Sequence, residues 1–262
     1  MKDVNILIEN GANVKKALEL FGDMETYDQT LEVFLNEVPQ KLQKIKSCKE
    51  IGDMTNYAIL VHSLKSDARY FGFEELGEIA YKHELESKAN NLYYVTEHYD
   101  ELTNEANRVL NVVKKYFGVG NITDMDVHKT VVSHDKAILV VDDSNLIRNF
   151  ILKIFKDDFE VIVANDGQEA LNVINDALKG DKIKAILLDL NMPNVNGFEV
   201  LDYMKSHDMF NKYPISIITG VDDKESIEKA YKYPIVDILL KPFNERDVKK
   251  ILEKTINKNT FK

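Results

Sequence analysis

The chain has 262 residues, 44% hydrophobic and 30% charged, with a formal net charge of −10. That balance fits one or two globular domains, each half being long enough to bury its own core. It argues against a phosphate-backbone footprint: residues 1–118 hold 14 Lys+Arg against 20 Asp+Glu, and residues 136–262 hold 19 against 21. Cys48 is the single cysteine, so no intrachain disulfide can form, which suits a reducing compartment. The start of the chain lacks a basic stretch followed by an apolar run, and no segment approaches the roughly 20 apolar residues of a membrane span. The expectation is a cytoplasmic protein with neither nucleic acid nor membrane as partner.

Residues 13–117 read as consecutive helices, with apolar residues at three- and four-residue spacing. The segments are 13–21, 26–48, 54–70, 73–89 and 91–117, separated by Gly22-Asp23, Gly52-Asp53, Gly72 and Asn90-Asn91. Pro39 falls inside the second and predicts a kink. Short loops between long helices imply antiparallel neighbours and a helical bundle. Residues 119–135 fit no pattern and read as a linker between domains at 1–118 and 136–262.

From Lys136 the period changes. Apolar runs at 137–141, 159–164, 184–190, 214–219 and 236–240 alternate with helical stretches at 144–156, 167–179, 197–206, 223–231 and 244–257. Five such units predict a doubly wound (βα)5 parallel sheet. The fold class is thus multidomain, α followed by α/β.

Ligands in such sheets bind beyond the carboxyl ends of the strands. Asp142 and Asp143 follow the first strand, Asp189 ends the third, Thr219 the fourth and Lys241 the fifth. Any one of the acids would serve as an ordinary helix cap; their convergence at four strand ends would not follow from capping. Clustered carboxylates call for a cation, and Mg2+ takes oxygen ligands from few protein groups. A carboxylate left facing the metal can act as a nucleophile toward a phosphoryl group, with Lys241 and Thr219 neutralising its oxygens.

Residues 136–258 resemble a CheY-like response-regulator receiver domain, carried by VVDDS (140–144), LLDLNMPNVNGFEVL (187–201), ITG (218–220) and LLKPF (239–243). The resemblance implies Asp189 as phosphoacceptor, Asp143 as a direct Mg2+ ligand, Asp142 as a ligand mainly through water, and Asn191 as a ligand through its backbone carbonyl. It also implies Thr219 as the switch hydroxyl and Lys241 as the phosphate-pairing lysine. Gly197 fits the turn into the third helix of this domain, where a small residue relieves backbone strain. One position departs: three residues before Lys241, where receivers usually carry Tyr or Phe, stands Ile238. An aliphatic side chain cannot swing a ring between exposed and buried positions.

In helix 54–70, Tyr57, Leu60, Val61, Leu64, Ala68 and Phe71 form the apolar stripe, leaving His62, Lys65, Ser66 and Arg69 on the other side. His62 is therefore expected off the core. The stretch VHSLKSDARYFGFEELGEIA resembles the HxLK core of histidine-containing phosphotransfer (HPt) domains, with Ser66 where that family favours glycine. The resemblance implies His62 as a second phosphoacceptor with Lys65 and Arg69 as partners of the phosphohistidine. Ala58 and Ile59, one turn earlier, read either as core edge or as a docking patch for a receiver. His83, His98, His128, His134 and His207 lack metal-like spacing and read as surface or packing residues. Tyr93, Tyr94, Tyr116 and Phe117 read as core.

The reading is a phosphorelay protein, passing phosphoryl groups through Asp189 and His62 with protein–protein output. No ATP-binding loop is present, so the expectation is no enzyme beyond weak loss of its own phosphoryl group. The donor would then be a sensor histidine kinase, another receiver or HPt protein, or a small phosphodonor. Two alternatives stand beside it. A haloacid-dehalogenase-like phosphatase would need a DxD signature where the acids are adjacent here, and a non-relay scaffold rests on Ile238 alone.

Overall fold

A computed structural model of the protein describes residues 2–118, 136–176, 182–220 and 224–259. The chain divides into two compact units, Met1–Thr130 and Val131–Lys262. The segment read as a linker, 119–135, lies outside the described residues.

Among the described residues the first unit is built of helices: α1 (Asn5–Glu9), α2 (Val14–Phe21), α3 (Met24–Ile51), α4 (Met54–Tyr70), α5 (Glu74–Lys88), α6 (Leu92–Glu97) and α7 (Tyr99–Phe117). The turn signals act as stop–start pairs. Gly22 and Gly52 end α2 and α3, and the next residues, Asp23 and Asp53, accept hydrogen bonds from Thr26 N–H (2.7 Å) and Asn56 N–H (3.0 Å) as N-caps. Asn91 caps α6 in the same way through Tyr94 N–H at 3.1 Å.

Two departures from the periodicity have local causes. The short helix α1 was too brief to register as a period. The segment 91–117 breaks at His98, whose ring stacks on Tyr94 (centroids 4.2 Å apart) and whose carbonyl oxygen lies 3.2 Å from His83 Nε2. Helix α3 runs as one element through Pro39.

The core of this unit contains an aromatic cluster: Phe71 stacks on Phe21 (5.3 Å) and meets Tyr27 (5.6 Å) and Phe34 (5.2 Å) edge-on. Gly72 turns the chain out of α4 at φ 78°, and a Cβ there would meet the backbone of Asn13 at 2.6 Å. That approach carries a hydrogen bond from Asn13 N–H to Gly72 O at 2.9 Å, tying the segment before α2 to the end of α4.

The second unit is a five-stranded parallel sheet of order β2-β1-β3-β4-β5. Its strands are β1 (Ala137–Val141), β2 (Glu160–Ala164), β3 (Ile183–Asp189), β4 (Ile215–Gly220) and β5 (Ile238–Lys241). The helices are α8 (Asn145–Phe155), α9 (Gly167–Asn175), α10 (Gly197–Ser206), α11 (Lys224–Ala230) and α12 (Glu245–Ile256). Strands β1 and β4 are buried along their whole length, as continuous Val/Ile/Leu runs covered on both faces require. The order reverses between β1 and β3, so the crevice opens where Asp142 and Asp189 end.

Candidate functional sites

Sheet register assembles the first site. Asp189 ends β3 opposite Ile218 of β4, and Thr219 and Gly220 lie opposite Leu240 and Lys241 of β5. Asp142 leaves β1 beside β2, its N–H donating to Ala164 O at 3.2 Å. The ammonium of Lys241, itself buried, lies 2.7 Å from Asp189 Oδ2 and 2.8 Å from Asp142 Oδ2. Asp142, Asp143 and Asp189 each bring a carboxylate oxygen into a group no wider than 4.8 Å. Backbone amides hold two of these side chains: Asp142 Oδ1 accepts from Ser144 N–H at 3.0 Å, and Asp189 Oδ1 from Leu190 N–H at 2.7 Å. Arg148 on α8 donates to the Asp142 carbonyl from below.

The electrostatics are those of a cluster with more anions than cations. Burial pushes the Asp142 carboxyl above its ordinary range; Lys241 opposes the shift and Asp189 adds to it. Burial works against the Lys241 ammonium, yet Asp142 and Asp189 outweigh it and hold the lysine above its usual value. The Thr219 hydroxyl oxygen is buried with no hydrogen-bond partner among the described residues. An orphaned donor beside three acids and one lysine is a place where an anionic oxygen can be received. Asn191 is half-buried on the loop after β3, its N–H 3.3 Å from Asp189 Oδ1.

Gly197 is required for a different reason from the one its turn suggested. A Cβ there would meet the carbonyl oxygen of Asp189 at 2.3 Å and Leu190 Cα at 2.7 Å. What matters is room against the backbone of Asp189 and Leu190. Ile238 pairs with Ile217 and packs, half-buried, against the core of this unit.

His62 corrects the periodicity argument, since it is buried rather than off the core, at 3% exposure. So are Lys65 (2%) and Ser66 (7%). A helical stripe assigns one face to the core and the rest to water, but here the polar face of α4 is paired with its neighbours. On one side Glu84 of α5 lies 2.8 Å from His62 Nδ1 and 2.7 Å from Lys65 Nζ. On the other, Lys41 of α3 donates to Ser63 Oγ at 2.8 Å and pairs with Asp67. Arg69 turns away, to Glu78 at 2.9 Å, and with Lys65 lies over the Tyr81 ring. Ala58 is buried and Ile59 half-buried.

Glu84 was not among the expected residues. Its signal was a charge on an otherwise core-facing stripe of α5, with Leu76, Gly77, Ala80, His83 and Ser87. Burial would raise its pKa, but the hydrogen bond to His62 and the charges of His62, Lys65 and Lys88 outweigh burial, leaving it well below the usual carboxylate range. A depressed pKa contributes stability above the unfolded value, about 4.3, that is lost as pH falls toward the folded one. The gap in urea midpoint between the protein and a Glu84→Gln variant should be wide at pH 6 and shrink toward pH 3. A constant gap would show that the charge contributes nothing.

Among the other histidines, His83 is buried with Nδ1 2.8 Å from Tyr57 Oη, and His207 stacks on Tyr203 at 4.0 Å. His128 and His134 lie outside the described residues. Tyr93 is a correction: it is 76% exposed, whereas Tyr116 is core and donates to Asp28 at 2.6 Å. No helix of the described residues is long and apolar enough to cross a membrane.

Comparison with known proteins agrees with both halves. A family model of the response regulator receiver domain matches residues 138–253, and one of the Hpt domain matches residues 29–111. A chemotaxis protein CheY homolog of Campylobacter jejuni is 30% identical over 120 residues, covering 44% of this chain and 88% of that protein. Chemotaxis protein CheY1 of Helicobacter pylori is 31% identical over 126 residues, covering 47% and 98%. The CAI-1 autoinducer sensor kinase/phosphatase CqsS of Vibrio cholerae is 32% identical over 117 residues, 44% of this chain but 16% of that protein. Neither matched domain is a kinase domain; both are phosphotransfer modules. With a receiver sheet closing on an acid–lysine cluster and a histidine set in a helical bundle, the chain belongs to the CheY-like response-regulator receiver family, carries an Hpt domain ahead of its receiver, and is a two-component phosphorelay protein.

Proposed function

We propose that Asp189 is the phosphoacceptor of the receiver and His62 that of the Hpt domain, with domain limits at 1–118 and 136–262. The observation that carries the reading is the Asp189 carboxylate, 2.7 Å from Lys241 and grouped with Asp142 and Asp143 within 4.8 Å. Asp142, Asp143, Asp189 and the Asn191 carbonyl would hold Mg2+, whose oxygen preference their donor set fits. The ion, when bound, neutralises charge on the phosphoryl oxygens. In the transfer an Asp189 carboxylate oxygen displaces the donor from phosphorus. Lys241, already poised between Asp142 and Asp189, moves its charge to the incoming oxygens, and Thr219 donates its hydroxyl hydrogen to one of them.

The partners of this reading are a sensor histidine kinase or other receiver and Hpt proteins, with no ATP site of its own. Ile238 argues that output reaches a protein partner by a route other than an aromatic side-chain switch. Labelling with acetyl phosphate and Mg2+ tests it. The label should reach the wild type, be lost in Asp189→Asn, and persist on the receiver in His62→Gln. Label retained in Asp189→Asn would remove the proposal. A partner phospho-receiver should label His62 in the wild type and fail to do so in His62→Gln.

A further inference from the structure

The segment 190–196 runs from the end of β3 to the start of α10 and carries Asn191. Its two ends are held locally. Asp189 Oδ1 accepts from Leu190 N–H at 2.7 Å. Asn196 caps α10, accepting from Glu199 N–H at 3.1 Å while its own N–H donates to Glu199 Oε2 at 2.8 Å. The middle is held by another part of the chain, the turn from β2 into α9. Gly167 N–H donates to Val195 O at 2.9 Å, and Asn194 Nδ2 donates to Asp166 Oδ2 at 2.8 Å. The other oxygen of Asp166 caps α9, accepting from Glu169 N–H at 2.9 Å, so the carboxylate that meets Asn194 is itself anchored to a helix. Asn194 stands at φ 62°, a left-handed conformation that asparagine tolerates better than most residues. Gly167 leaves no gap: a Cβ there would meet Val195 O at 2.5 Å and the Val195 and Val200 side chains at 2.7 Å.

Resting on the reading of the Asn191 carbonyl as a Mg2+ ligand, we propose that Asp166 and Gly167 are positioning residues that set the coordination geometry of the receiver cluster by clamping this segment. The reason lies in the kind of ligand. A carboxylate reaches a cation by turning about its side-chain bonds. A backbone carbonyl has no such freedom, and its oxygen goes only where its planar peptide is placed. The two bonds from the β2–α9 turn fall on Asn194 and Val195, about one turn of chain beyond Asn191, and so fix where that peptide lies. Mg2+ demands near-octahedral geometry at short distance, whereas Ca2+ accepts a looser and more variable shell. The clamp therefore bears on which divalent ion the cluster takes as well as on how tightly.

Three variants and two readouts test this. Asp166→Ser keeps a side-chain cap for α9 but is too short to meet Asn194. Asn194→Gly keeps the left-handed backbone and removes the donor. Gly167→Ala pushes Val195 off the turn. Calorimetric titration should show Mg2+ affinity reduced roughly 3- to 10-fold in either of the first two, the equivalent of one hydrogen bond, and roughly 10-fold or more in Gly167→Ala. Asp166→Ser and Asn194→Gly combined should cost no more than either alone, as one shared bond requires. Ca2+ affinity should fall less than Mg2+ affinity in each variant, a difference that general loosening of the fold would not produce. The second readout is amide hydrogen exchange in metal-free protein. Gly167 N–H should be protected in the wild type and exchange faster in Asp166→Ser and Asn194→Gly. Wild-type Mg2+ affinity in all three variants would overturn the clamp, as would equal losses of Mg2+ and Ca2+ affinity. Unchanged Gly167 exchange in Asp166→Ser would overturn the part given to Asp166. A wild type that binds no Mg2+ would instead overturn the metal site itself, and the proposal with it.

Discussion

Lys241→Met should slow acyl-phosphate labelling of Asp189 by about 10²- to 10³-fold, the usual cost of removing one preorganised charge-stabilising group from such a site. It should also unfold the receiver more easily. The lysine is the cation between two carboxylates that are each 1% exposed, at 2.8 and 2.7 Å. Removing one partner of a buried pair costs about 3–5 kcal/mol, because the charge left behind is uncompensated. Saturating Mg2+ should restore part of the stability, since it supplies positive charge to the same carboxylates, but little of the labelling. Urea unfolding with and without Mg2+, alongside the labelling rate, measures both. Wild-type labelling in the variant would take Lys241 out of the site.

Gly197→Ala should damage the same site without touching a charged group. The added methyl would sit 2.3 Å from the carbonyl oxygen of Asp189 and 2.7 Å from Leu190 Cα. Both are backbone atoms of the segment that carries Asp189, so neither can rotate aside. Overpacking of this kind costs about 1–3 kcal/mol. The strain falls on the Asp189 backbone, which is also fixed by the hydrogen bond from Gly197 N–H to Leu190 O at 3.0 Å. Labelling should drop by more than the folded fraction does, because small misplacements of a reacting group are expensive in rate. Labelling that tracks the folded fraction alone would show that the loop gives way without moving Asp189.

Much of this was legible in the residues. The period change at Lys136 separated the two halves, and five apolar runs with helices between them led to the parallel sheet, whose strands fall within a few residues of those runs. The acids, Thr219 and Lys241 were found because in a parallel sheet chain direction alone places strand ends on one edge. That argument needs no knowledge of side-chain contacts. The histidine site lacked such a rule. The stripe on α4 correctly placed Tyr57, Val61, Leu64 and Ala68 in the core, then left His62 and Lys65 to solvent.

What the sequence determined, then, is the order of elements, the two architectures and the receiver cluster, because these follow from periodicity and from where strands end. Tertiary structure decided the rest. Glu84 is separated from His62 by 22 residues and by the Gly72 turn, and only the packing of α4 on α5 brings its carboxylate to Nδ1 at 2.8 Å. Lys41 reaches Ser63 and Asp67 from α3 in the same way. A single helix carries no information about which polar residue on its neighbour will face it. Pairing across helices therefore settled whether the histidine is solvated or enclosed, and which of its ring nitrogens meets a partner among the described residues.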